Sequence, residues 1–96
     1  MIKYEILLGL NDEDTHKQEL TDEQAIHLVS KLFEYATLSK VQGIYKGELE
    51  NTLKIEFIGE VRDRVQLVKK VERLKSAFNQ ECILLTETIL NDMKFI

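Results

Sequence analysis

Asp12, Glu13, Asp14 and His16 form the densest group of metal-type ligands in the chain, set between two apolar stretches. Carboxylates suit magnesium or calcium, and a nearby imidazole moves the choice toward manganese or zinc. The three acids are consecutive, however, and the central glycine of a calcium loop is missing. They are therefore read as a solvated acidic loop leading to a helix, and no metal is expected. His27 falls among Glu23, Ser30, Lys31 and Glu34 on a polar helix face, where nothing suggests a pocket for a general base. Cys82 follows Glu81, whose charge opposes thiolate formation, so an inert, buried or half-buried thiol is expected. There is no Cys-x-x-Cys pair, phosphate-cradling glycine loop or glycine-flanked serine. No catalytic residue is assigned, no cofactor is expected, and the chain is read as not an enzyme. A small enzyme using His16 or His27 for acid–base work is the least favoured alternative.

Arg62, Lys69, Lys70 and Arg73 share an outward stripe on the second helical segment. Arg62, Lys69 and Arg73 are the anion-binding candidates, weighed against a plain solvated face. Direct nucleic-acid binding is not expected. The net charge is −4, whereas phosphate contacts draw on Lys and Arg. The aromatic residues that an RNA-recognition sheet displays are also missing, since Lys54 and Glu56 occupy the outward positions of the third strand. Tyr4 and Tyr45 belong to alternations read as inward-facing. A ligand pocket lined by Tyr45 and the Asn11 loop is a minor reading.

The elements that position these groups follow from the hydrophobic periods. Ile2, Tyr4, Ile6 and Leu8 alternate with other residues, as on a half-buried strand. Thr21 and Gln24 make a capping box, with Asp22 and Glu23 at the positive end of the helix dipole. Ala25, Ile26, Leu28, Val29, Leu32, Phe33 and Ala36 form a helical stripe that should stop near Thr37–Ser39. Two alternations, Val41–Gly43–Tyr45 and Leu53–Ile55–Phe57, predict a hairpin with a loop of roughly three to five residues around Gly47. A second helix spans about 61–78, with Val61, Val65, Val68, Val71, Leu74 and Phe78 as its stripe and Leu67 beside it. Ile83–Leu85 opens a fourth strand, and 93–96 is a possible short fifth strand.

This order, β-α-β-β-α-β, predicts a ferredoxin-like α+β sandwich: a four-stranded antiparallel sheet with both helices on one face, formed by residues 1–96 as one domain. One cysteine, no leader-type segment and no membrane-length apolar run lead to the expectation of a cytoplasmic protein that does not engage membranes. The bare side of the sheet is the expected partner interface. Leu7, Ile44 and Leu84 make its apolar centre, with Lys46, Lys54, Glu56 and Thr86 around them.

Gly9-Leu10-Asn11-Asp12 with Asp14-Thr15, Gly43-Ile44-Tyr45 and Asn79-Gln80-Glu81 resemble small ferredoxin-like proteins of bacterial phages and mobile elements, a group with no established activity. The resemblance implies a phage-type accessory role, such as inhibiting a host defence component or sequestering a nucleotide signal. The leading expectation is thus a non-enzymatic module that forms a homodimer or higher homo-oligomer and binds a host protein. The alternative is a binder that sequesters a nucleotide-like anion at a subunit interface.

Overall fold

The structure, a computed structural model, describes residues 1–94 and 96. The elements run β1 (Ile2–Gly9), α1 (Asp22–Ser30), β2 (Thr37–Tyr45), β3 (Glu48–Gly59), a 3-10 turn (Val61–Asp63), α2 (Arg64–Ala77) and β4 (Leu84–Ile89). The strands form one antiparallel sheet in the order β2-β3-β1-β4, the ferredoxin-like arrangement. Ile2, Tyr4, Ile6 and Leu8 of β1 join Leu53 and Ile55 of β3 in a single core. Ala25 and Val29 of α1 and Leu67 and Leu74 of α2 complete it, so both helices cover the same face. Each fully buried aliphatic contributes about 1.5–3 kcal/mol. Tyr4 is fully buried and its hydroxyl donates to the Glu60 carbonyl at 2.7 Å, so the phenol does not leave an unpaired donor in the core.

Local chemistry explains the element ends. The Thr21 hydroxyl accepts from the Gln24 amide at 3.1 Å, and the Gln24 side chain accepts from the Thr21 amide at 2.9 Å. Helix α1 stops at Ser30 instead of continuing to Ala36. After one tightened turn, in which the Leu32 amide bonds the Val29 carbonyl at 2.9 Å, Phe33 packs on Phe57 and the chain turns into β2. The hairpin loop is also shorter than expected. Only Lys46 and Gly47 separate β2 from β3, with φ of 51° and 79°, the two positive values of a type I′ turn.

Two facing assignments change. On α2 the core stripe is Leu67, Val71, Leu74 and Phe78, while Val61, Val65 and Val68 are exposed. Two apolar stripes compete on this helix, and the one with the larger side chains takes the core. On β2, Ile44 lies opposite Leu49 and on the helix side, not on the open face with Leu7 and Leu84. Facing is set near the root of β2, where Leu38 pairs with Ile55 under the helices. The β2–β3 ribbon then runs on past Gly9, the end of β1. Both of its faces are wet there, so hydrophobicity no longer reports facing. Lys46, also expected on the open face, sits in the turn. Of the expected fifth strand, Met93, Lys94 and Ile96 are not in a strand, and Phe95 lies outside the described residues.

The facing assignment makes a direct prediction. Ile6→Ala should cost about 2–5 kcal/mol of unfolding free energy, whereas Ile44→Ala should stay within about 0.5 kcal/mol. Urea unfolding of the two variants checks this.

Candidate functional site

The pleat that buries Tyr4, Ile6 and Leu8 places Lys3, Glu5 and Leu7 on the open face. Across β3 their neighbours are Ile58, Glu56 and Lys54; across β4 they are Thr88, Thr86 and Leu84. Leu7, Lys54, Glu56, Leu84 and Thr86 therefore share one surface. The charges on it form a ladder of alternating sign: Lys3–Glu56 at 3.0 Å, Glu56–Lys54 at 3.1 Å and Lys54–Glu5 at 3.5 Å. The two lysines, Lys3 foremost, hold the Glu56 carboxyl below its ordinary range. Glu56 in turn raises the Lys54 ammonium. Glu56 is thus a fixed carboxylate at neutral pH, suited to holding a cationic group and not to donating a proton.

One end of this ladder opens into a groove of about 710 Å³, lined by Lys3, Glu34, Tyr35, Thr37, Glu56, Phe57 and Ile58. Its volume is that of a small-molecule site. Tyr35, in the connection between α1 and β2, is 80% exposed and presents a free aromatic ring at the rim. Neither Tyr35 nor the groove was legible in the sequence, because the groove is made by folding the 31–36 connection against β3.

The opposite end of the sheet is more polar and much tighter. The hairpin tip, the β1–α1 loop and the α2–β4 loop meet there around a cleft of about 50 Å³ that includes Asp12, Glu13, His16, Tyr45, Glu48 and Glu50. Tyr45 donates its hydroxyl to Glu81, and Lys46 pairs with Glu81 at 2.8 Å and Glu13 at 3.7 Å. Lys46, then Tyr45, lower the Glu81 carboxyl. The bond to Glu81, followed by burial and Cys82, raises the Tyr45 phenol, so it remains a hydrogen-bond donor. His16 lies 3.8 Å from Glu48.

Other candidates are placed elsewhere. Asp12 accepts from the amides of Asp14 at 2.8 Å and Thr15 at 3.1 Å and from the Asn79 side chain at 3.1 Å. Asp14 binds the same Asn79 at 2.9 Å, so these acids brace a turn. Among the described residues no cluster of three or more His, Cys, Asp or Glu is placed to hold a metal ion. Cys82 is exposed, not buried, because it precedes β4, and its sulfur lies 4.0 Å from the Tyr45 hydroxyl. Arg62, in the 3-10 turn, and Lys69 and Arg73 on α2 are exposed and line neither cavity. Lys70 is drawn in over the Phe33 ring, 5.0 Å from its centre. Among the described residues no helix is long and apolar enough to cross a membrane.

No family model and no curated protein matches the chain. A solved structure does: a phage SAM lyase in complex with S-methyl-5′-thioadenosine, at 18% identity and a TM-score of 0.73, over 91% of this chain and 79% of that one. At this identity the likeness is one of fold. The neighbour is a phage protein, in keeping with the group that the sequence resembles. It also overturns the expectation that the chain is not an enzyme. The same small sandwich carries a lyase, so the lack of familiar catalytic motifs is no argument against catalysis here.

The ladder has a pH dependence whose sign follows from the lowered Glu56 carboxyl. Its stabilisation is complete above the ordinary glutamate value of about 4.3 and fades as the pH falls through the lower folded value. Glu56→Gln should therefore melt below the wild type at pH 7, with the difference shrinking toward pH 3. Thermal unfolding at the two pH values is the check.

Proposed function

We propose that this protein binds S-adenosylmethionine on the open face of its sheet and cleaves it as a lyase. The observation that carries this reading is a groove of nucleoside size that ends on the alternating Lys–Glu ladder. The fold shared with a lyase held in complex with methylthioadenosine supports it. The ligand has three parts to recognise. Its adenine is a flat ring, suited to the exposed ring of Tyr35. Its aminobutyrate arm carries an ammonium and a carboxylate, which the ladder complements with Glu5 and Glu56 on one hand and Lys3 and Lys54 on the other.

The sulfonium sets the electrostatic requirement. As the arm's own carboxylate bonds to the carbon beside sulfur and closes a lactone, the bond from sulfur to that carbon breaks, its electron pair stays on sulfur and methylthioadenosine leaves neutral there. A carboxylate aimed at the sulfur would stabilise the starting charge and slow this step. Carboxylates already matched by lysines hold the arm without that cost. This reading replaces the nucleotide-like anion with a zwitterionic, net cationic ligand, because the cations Arg62, Lys69 and Arg73 lie off the open face.

The groove is open to water on one side. A second copy resting on Leu7 and Leu84, at the other end of the ladder, and reaching over the groove would strengthen the ion pairs by excluding water. In this arrangement the homo-oligomer expected from the bare sheet face completes the ligand site.

The test is incubation with S-adenosylmethionine and chromatography for methylthioadenosine. Wild-type protein should form it. Glu56→Gln and Tyr35→Ala should lower kcat/KM on the order of 10²-fold, and Lys31→Ala should leave it unchanged. Leu7→Thr should weaken both activity and self-association. Absence of product together with absence of methylthioadenosine binding by calorimetry removes the reading.

A further inference from the structure

The sheet has two edges, and they are built differently. The β2 edge carries Lys40, paired with Asp22 at 3.6 Å, and Gly43, features that discourage strand addition. The β4 edge, Leu84-Leu85-Thr86-Glu87-Thr88-Ile89, holds no lysine, proline, glycine or bulge along its register with β1. Among the described residues no strand pairs with its outer side. An unguarded edge of this kind is a template for another strand.

The helix layer beside that edge is apolar where a solvated helix would be polar. Val61 is 61% exposed, Val65 64% and Val68 46%, and Ile89 on β4 is 78% exposed. Between the valines, Arg64 reaches the strand and grips both oxygens of Glu87 at 2.7 Å. That bond shows that this flank of α2 borders β4. Leu85, Glu87 and Ile89 lie opposite Ile6, Tyr4 and Ile2, so all three belong to the helix side of the sheet.

We propose that β4 is a homodimer interface, in which two copies pair this strand antiparallel about a twofold axis at Glu87 and form a continuous eight-stranded sheet. The choice of occupant and register rests on self-complementarity. An axis at Glu87 sets Leu85 against Ile89 of the second copy twice over, and Thr86 against Thr88, both favourable cross-strand pairs. An axis at Thr86 instead opposes Leu85 with Glu87, and one at Thr88 opposes Glu87 with Ile89; each sets a carboxylate against an aliphatic side chain. The two Glu87 side chains that meet on the axis would repel each other. Each arrives with its own bidentate Arg64, so four charges alternate in sign across the axis. The Val61–Val65–Val68 flanks of the two α2 helices come together above them. The contact is isologous, and it closes at two copies.

The test uses the full chain. Light scattering behind size exclusion should give twice the chain mass in Leu7→Thr protein, which lacks the contact over the groove, and a larger even multiple in the wild type. Ile89→Asp should raise the dimer dissociation constant about tenfold or more, while Val41→Asp, exposed on the other edge, should not. In a Cys82→Ser background, Leu85→Cys and Ile89→Cys proteins should form a disulfide-linked pair when mixed and mildly oxidised, because directly opposed residues fall within disulfide reach. Neither should link to itself. A monomer at several hundred micromolar overturns the proposal, as does a dimer that Ile89→Asp leaves unchanged or a mixture that does not link. Leu7→Thr reports on the separate contact over the groove, so loss of one contact is distinguishable from loss of the other.

Discussion

The two-residue pleat of β1 is the constraint on which both sides of the molecule depend. Tyr4, Ile6 and Leu8 are fully buried under α1 and α2. A shift of one residue would carry Lys3 and Glu5 into that core and leave it without its central aliphatics. The same pleat fixes what the other side presents. Lys3 and Glu5 lie beside Glu56 and Lys54 because β1 pairs with β3 in the register that buries Leu53 and Ile55. Burial on one face thus orders the charges on the other, with no separate device to align them.

That ordering has an electrostatic consequence, because the central charges of the open face are partly shielded by their neighbours. Lys54 is 32% exposed and Glu56 23%, so their ion pairs are less screened than those of free surface charges. The hairpin end of the sheet contrasts with this. There Tyr45, Lys46 and Glu81 are bound to one another, and the space left holds no more than a few waters. Of the two ends, the one beside Tyr35 has the room for a ligand, and the other has bracing.

Much of this was legible in residue order. The alternation of Ile2–Leu8, the Thr21–Gln24 capping box and the period of the two helices lead to the β-α-β-β-α-β architecture. The placement of Leu7, Lys54, Glu56, Leu84 and Thr86 on one face follows from strand parity alone. Ile44 was misplaced because its ribbon extends beyond the helices, where either face is wet. Val61, Val65 and Val68 were misplaced because α2 carries two stripes and periodicity cannot rank them. The lack of catalytic motifs says nothing against catalysis, because motifs are local in the chain whereas a cavity such as the groove joins residues far apart in it.

The amino-acid sequence by itself determined the elements, their order and the buried side of β1, because these depend on short-range periodicity and local capping. Only the tertiary structure decided that Lys3 meets Glu56, that Tyr35 overhangs a cavity and that Arg64 clasps Glu87. Those meetings depend on strand register and helix rotation, and both are settled by which large side chains win the shared core.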